Sequence, residues 1–369
     1  MRDALRIAIV ASSRYPIAQP FAGGLEAHVW HLTRALTLAG HEVTLFAGAG
    51  SDLPVDSGRL RAELFEPSAA ARSDVSMPAL EVMHDHHAYL SLMLSFSRNP
   101  GEYDVIHNHS LHHLPVAMGP AVQTPMVTTL HTPPTPWLES ALTLAPGTRC
   151  VAVSRHTARS WSHVLGDIPV VHNGVQLDHW PVGPGGDDLV WFGRFVPEKG
   201  PHLAIEAAHR AGRRLRLAGP ISDTEYFAQH IAPSLGDLVH YEGHLHQHDL
   251  AHLVGSCGAT LVTPVWDEPY GLVVAESLAC GTPVACFARG GIPEIVGKSA
   301  GVLVPPGDVD ALAVAATQAL GIDRGVVRRH AEDHCSDTAM IDRYMDIYAD
   351  LVAEGPVAGA WSFPQEVPV

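Results

Sequence analysis

The 369-residue chain is poor in charge: 17% of its residues are Asp, Glu, Lys or Arg. Cations are the scarcer sign, 23 Lys and Arg against 39 Asp and Glu, for a formal net charge of −16. That balance excludes a broad basic face for nucleic acid or anionic lipid, while leaving room for a local basic pocket. Cysteine is sparse too. Cys150, Cys257, Cys280, Cys286 and Cys335 form no C-x-x-C and no regular spacing, as suits buried free thiols in a reducing compartment. Long apolar runs are also missing. No stretch approaches the length of a membrane span, and Leu5 to Val10 is too short and too charged for a signal-peptide core. A cytoplasmic protein without membrane association is expected. What the chain does have is 46% hydrophobic residues, enough for two globular domains of ordinary size, each with its own core.

The apolar runs are short and recur between helical patterns. Leu5 to Val10 reads as a buried strand feeding the Gly/Pro-rich loop Pro16 to Gly24. Leu25, Val29, Leu32 and Leu36 then repeat at helical spacing, Gly40 ends the helix, and Val43 to Ala47 is a second strand. Strand, helix, strand in this order is a βαβ unit and implies a parallel sheet. Further strands are expected at 104–107, 126–130 and 150–153. Pro181 to Gly186 reads as a linker. A second series follows, with strands at 189–192, 215–217, 239–241, 259–262, 284–287 and 302–304. The segment Ser51 to Pro78, rich in Ala, Ser, Pro and charge, reads as a surface excursion, and Ser51 to Arg98 as a stretch of loop. The tail after Gly355 is Pro-rich and expected to be loose. The expectation is two Rossmann-like, doubly wound halves facing across a cleft.

The chain is organised around Pro264-Val265-Trp266-Asp267-Glu268-Pro269-Tyr270-Gly271-Leu272-Val273-Val274-Ala275-Glu276-Ser277. A buried strand precedes it and a helix runs through its end. Glu268 falls in the turn and Glu276 more than a turn into the helix. Gly271 at the helix start leaves the free backbone N–H groups open to an anionic or hydroxyl-rich ligand. A second stretch, Gly193-Arg194-Phe195-Val196-Pro197-Glu198-Lys199-Gly200, leaves the end of the first strand of the second half. Its two cations there suit a diphosphate, Arg as a fork and Lys as a point charge. Taken singly, an R-x4-K is an ordinary solvated pair, and two acids eight residues apart mean little.

Together these stretches resemble retaining GT-B glycosyltransferases, in particular glycosyltransferase family 4, with its E-x7-E element. Gly281-Thr282-Pro283-Val284 and Gly290-Gly291-Ile292-Pro293-Glu294 extend the likeness, as fold punctuation with Glu294 a first-turn acid. The resemblance implies a GT-B fold, with residues 1–175 as the acceptor domain, 176–336 as the nucleotide-sugar domain and a helix at 337–353 crossing back onto the first. It implies that Arg194 and Lys199 contact the diphosphate, that Glu276 accepts from the ribose hydroxyls, and that Glu268 contacts the donor sugar. Tyr270, Gly271 and Leu272 would offer backbone N–H groups. Gly23 and Gly24, opening the first helix, would lie beside the phosphates, and His131 would face the transferred sugar. Ser154, Arg155, Asn173 and Gly174 match recurrent family segments without assigned chemistry.

The implied activity is transfer of a sugar from a nucleoside-diphosphate donor to an acceptor hydroxyl with retention of configuration. UDP-glucose or UDP-N-acetylglucosamine is the first choice and GDP-mannose the second. The acidic balance favours a soluble acceptor, a small molecule or a glycan. Epimerases and phosphorylases share the fold, and a non-catalytic nucleotide-sugar binder would not need the full set of Arg194, Lys199, Glu268 and Glu276. No cofactor and no metal are expected. Asp308-Val309-Asp310 spells the DxD of another glycosyltransferase fold, but it opens an apolar-periodic helix and reads as a cap. His107, His109, His112 and His113, or His84, His86 and His87, have ligand-like spacing. The first group reads instead as a strand end of the family. Oligomeric state is left open.

Overall fold

The computed structural model describes residues 4–53, 56–59 and 65–355, the side chains of 56–59 excepted. The tail after Gly355 and residues 54–55 and 60–64 of the Ser51 to Pro78 segment lie outside the described residues. The first six strands are β1 (Arg6–Val10), β2 (Glu42–Ala47), β3 (Asp56–Arg59), β4 (Val105–Asn108), β5 (Met126–Leu130) and β6 (Arg149–Ala152). They form one sheet in the order β3-β2-β1-β4-β5-β6. The next six are β7 (Leu189–Phe192), β8 (Leu215–Ala218), β9 (Val239–Tyr241), β10 (Ala259–Val262), β11 (Val284–Phe287) and β12 (Gly301–Val304). Their order, β12-β11-β10-β7-β8-β9, is the same winding. Neighbouring strands pair in parallel throughout.

Parallel strands with helices on both faces have no solvated side, so they read as continuous apolar runs. Ile7 and Ile9 face one core and Ala8 and Val10 another. In the second sheet Leu189 and Trp191 face one core while Val190 and Phe192 face the other. In each sheet the winding reverses at one point, between β1 and β4 and between β7 and β10. The loops at the carboxyl ends of those four strands therefore splay apart and leave a crevice.

Two segments read as loop are ordered. β3 adds to the sheet edge, and Leu80–Arg98 is a 19-residue helix that buries Tyr89, Leu92, Met93 and Phe96. Its histidine-rich start hid an apolar face whose spacing begins only at Ala88. The helix Asp337–Glu354 packs Met340, Tyr344, Met345, Tyr348 and Leu351 into the core of the first sheet, beside Ile7, Ile9 and Val105. Its polar tips are met there: Tyr348 Oη bonds His107 Nδ1 at 2.5 Å, and Tyr344 Oη bonds Thr129 Oγ1 at 3.2 Å.

The halves also touch directly. Glu294 does more than its own helix needs. Its carboxylate accepts from the backbone N–H groups of Arg155 (2.9 Å) and His156 (2.8 Å), and from His172 Nε2 (3.2 Å). It thus caps the start of the helix Arg155–Ser160 in the first half from the second half. Gln247 bonds His31 Nε2 at 3.2 Å and Gln19 at 3.3 Å in the same sense. No helix among the described residues is long and apolar enough to cross a membrane.

Truncating a buried aromatic side chain typically costs about 3–5 kcal/mol through the cavity it leaves. Tyr348→Ala also orphans His107 Nδ1. Its urea denaturation midpoint is expected to fall accordingly, with the larger effect on the first half as read by residue-resolved hydrogen exchange.

Candidate active site

The loop after β7 carries Arg194 and Lys199, and the loop after β10 carries Glu268. The helix Leu272–Ala279 follows, with Glu276 in its second turn. Gly271 caps that helix at φ 103, a left-handed conformation that other residues strongly disfavour. Across the crevice, the loop after β1 ends at Gly23 and Gly24, where the helix Gly24–Leu38 starts. The approach is close: a Cβ on Gly24 would lie 3.1 Å from Leu272 Cδ1, and one on Gly23 would lie 3.7 Å from Arg194 Nε.

Three adjoining cavities make one continuous cleft. The central one, about 200 Å³, is lined by Gly23 and Gly24 from the first half and by Arg194, Lys199, Glu268 and Gly271 from the second. A second, about 110 Å³, adds Glu276 with Phe21, Gly219 and Leu245. A third, about 170 Å³, adds His131, Thr132, Trp266 and Tyr270. Arg194 and Leu272 line all three. The groups therefore run in order from Glu276 through Arg194 to Lys199 and Glu268 and on to His131. Tyr270 contributes its position in the chain more than its ring, which is 3% exposed and packed into the second-half core.

Lys199 Nζ donates to Glu268 Oε2 at 2.5 Å, and Trp266 Nε1 donates to the same oxygen at 3.1 Å. The ammonium also lies 5.2 Å from the Trp266 ring centroid, within cation–π range. Lys199 is one of two lysines in the whole sequence, the other being Lys298. Both partners of the pair are largely shielded, 24% and 15% exposed, so their charges are less screened than on an open surface. Trp266 is the residue that sequence reasoning missed. Its signal was an aromatic two positions before Glu268 in a loop otherwise built for a turn.

Glu276 lies among apolar neighbours, and burial pushes its carboxyl up to about 8. No hydrogen-bond partner reaches it among the described residues. Across the cleft Glu26, 5% exposed, is also raised by burial, an effect its own backbone hydrogen bond and Arg194 oppose. His131 Nε2 lies 2.8 Å from His109 Nδ1, and burial drives both imidazoles well below the ordinary histidine range. His28 joins them from the first helix, so that one nitrogen from each of the three lies within 4.8 Å of the others. That grouping draws on three distant segments and had no sequence signal. Of the other histidines, His107 bonds Tyr348 and Thr129, and His84 Nε2 bonds Phe65 O. Asp308 accepts from Ala311 N at 2.9 Å as a helix cap, and Asp310 pairs with Arg210 at 2.6 Å. Neither aspartate lines the cleft.

Residues 22–179 match the family model Glycosyltransferase Family 4, and residues 182–329 match Glycosyl transferases group 1. The D-inositol 3-phosphate glycosyltransferase of Frankia alni is 31% identical over an alignment covering 78% of this chain and 84% of that one. The chain belongs to glycosyltransferase family 4. This family member is also 27% identical to a glycogen synthase of Mycobacterium tuberculosis, with 88% of each chain covered. Among solved structures, AviGT4, a glycosyltransferase involved in avilamycin A biosynthesis, superposes with a TM-score of 0.70 at 26% identity, covering 95% and 99% of the two chains. Sucrose-phosphate synthase from Thermosynechococcus elongatus shares the fold, with a TM-score of 0.77 at 20% identity and coverage of 95% and 100%. The protein is a glycosyltransferase of GT-B architecture that takes a nucleotide-sugar donor.

Glu276 gives a pH prediction. Its carboxyl titrates near 8 in the fold and near 4.5 in the unfolded chain. Between these values the folded state holds the extra proton, so stability falls as pH rises through that window. Glu276→Gln is expected to raise the thermal midpoint of the ligand-free protein most above about pH 8, with the gain vanishing below about 4.5.

Proposed function

We propose that the enzyme moves a sugar from a UDP-sugar to an acceptor hydroxyl with retention of configuration and without a metal ion. Glucose and N-acetylglucosamine are the first-choice sugars, with GDP-mannose as the competing donor. Residues 176–336 hold the donor; residues 1–175, with the returning helix at 337–353, receive the acceptor. The single observation behind this reading is the order of groups along the cleft. A ribose at Glu276, a diphosphate at Arg194 and Lys199 and a sugar between Glu268 and His131 follow the covalent order of a sugar nucleotide.

Each group suits its place. An ionised carboxylate accepts from two vicinal hydroxyls at once. Those donors favour the charged form and would draw the Glu276 carboxyl down from its ligand-free position near 8, and it has no partner among the described residues to lose. Charge develops on the departing diphosphate, and the Arg194 guanidinium with the Lys199 ammonium, which Glu268 holds at the cleft wall, stabilises it. The backbone N–H groups at Gly271 and Leu272 add a helix N-terminus on the same side. The Glu268 contact to Lys199 and Trp266 uses Oε2, which leaves Oε1 for a sugar hydroxyl. The reaction requires no pair of carboxylates arranged as in a glycosidase. The departing phosphate itself takes the acceptor proton, on the face it leaves. Closure of the halves excludes water that would hydrolyse the donor.

In the histidine group at this site, His109 and His131 are read as hydrogen bonded to each other rather than metal-ligating. Both ring nitrogens of His28 are buried without a hydrogen-bond partner among the described residues. The group's two closest nitrogens are 2.8 Å apart, shorter than the roughly 3.3 Å that two imidazoles keep on a tetrahedral zinc.

Lys199→Ala is expected to lower turnover by about a hundredfold or more, with circular dichroism unchanged. Wild-type rates in that variant remove the diphosphate assignment. Initial rates with UDP-glucose, UDP-N-acetylglucosamine and GDP-mannose, with NMR of the product anomer, test donor and stereochemistry. An inverted anomer sinks the retaining reading. Dialysis against EDTA is expected to leave the rate intact, and a rate restored only by added divalent cation rejects metal independence.

A further inference from the structure

Trp137 is an exposed tryptophan on a prepared support. It is the second residue of the helix Pro136–Leu144, and 74% of its surface is open. Its indole stacks on His113, with ring centroids 5.2 Å apart and planes 27° from parallel. His113 stacks on His112 (4.4 Å, 24°), and His112 on Tyr89 (4.5 Å, 23°). Tyr89 is buried. Its hydroxyl donates to Ala11 O at 3.0 Å and accepts from Ser13 N at 2.9 Å. Those residues flank Ser12 in the wall of the central cavity. The column is thus rooted in the cleft and ends on a free indole face.

The column is also tied to the cleft at its middle. Leu111, immediately before His112, lines two of the three cavities and is held at φ 61. His112 Nδ1 accepts from Leu114 N at 3.2 Å, which leaves the ring proton on Nε2. Burial lowers both imidazoles, His112 to about 4, so the stack is uncharged near neutral pH.

We propose that the outer face of Trp137 is a stacking platform for a sugar ring of the acceptor, and that the acceptor is an oligosaccharide or a glycoside with a second sugar. This rests on the transfer reading of the cleft. The C–H face of a hexose is flat and apolar, and a rigid indole meets it with little loss of side-chain freedom. Thr132 lines the reaction end of the cleft, and Trp137 lies five steps further along the chain, a span of at most about 18 Å. An acceptor of a single ring at the reaction end leaves the platform untouched; a chain of rings reaches it. A membrane is the rival occupant, because Leu144 is also exposed on this helix. The helix carries Glu139 and no Lys or Arg, and the net charge of −16 opposes an anionic bilayer.

The test displays labelled full-length protein on immobilised di- to hexasaccharides of the malto, manno, xylo and chito series, with the matching monosaccharides. Wild type is expected to bind at least one oligosaccharide series and not its monosaccharide. Trp137→Ala weakens that binding about tenfold, and Trp137→Phe restores most of it. Equal binding by wild type and Trp137→Ala overturns the platform, as does a wild type that binds no oligosaccharide. Flotation with phosphatidylcholine vesicles that is lost in Trp137→Ala assigns the face to a membrane and also overturns it. Thermal shift of wild type with UDP-glucose, UDP-N-acetylglucosamine and GDP-mannose separates the two levels. No shift with any donor removes the cleft reading itself. A clear shift with unchanged sugar binding in Trp137→Ala removes only the platform.

Discussion

Glu268 is held from three directions, and the cleft depends on that grip. Its carboxylate oxygen Oε2 receives both Lys199 and Trp266. Its carbonyl accepts from Gly291 N at 2.7 Å. The neighbouring Gly290, at φ 63, passes so near that a Cβ there would sit 2.1 Å from the same carbonyl oxygen. A largely shielded carboxylate is tolerable because a cation and a donor meet it. The same contacts keep the ammonium from leaving the cleft.

Around this grip the fold supplies direction. Both sheets are wound alike, so both present the carboxyl ends of their central strands to one crevice. The halves are joined where the crevice needs a hinge and not where it needs a gap. Glu294 caps a first-half helix, Gln247 reaches His31 and Gln19, and the returning helix completes the first core. The Glu294 and Gln247 contacts are polar, whereas the returning helix is anchored by an apolar face. Direct polar contacts of this kind resemble the junctions that permit relative motion, with the returning helix as the apolar tether.

The strands were readable because parallel strands buried on both faces carry unbroken apolar runs, as at Val284 to Phe287. β3 was not, because Asp56-Ser57-Gly58-Arg59, paired to β2 at the sheet edge, carries no apolar signature. The helix Leu80–Arg98 was missed for a different reason: its buried face starts late, after three histidines and two acids that read as surface. At the site, Arg194, Lys199, Glu268 and Glu276 stood out because they sit in turns and helix starts with recognisable spacing. Trp266, Glu294's cross-domain cap and the His28, His109 and His131 group did not, since each depends on partners from elsewhere in the chain.

By itself the sequence determined which residues lie at strand ends and helix starts, because local periodicity and turn chemistry are properties of neighbours along the chain. It also determined the family, through two short stretches whose residue types and spacing recur together. The tertiary structure alone decided that burial raises the Glu276 carboxyl, that one glutamate oxygen serves both a lysine and an indole, and that Tyr89, His112, His113 and Trp137 stack into a column. Those outcomes follow from burial and from distances between residues far apart in sequence. No spacing rule encodes them; they exist only once both sheets have closed on the cleft.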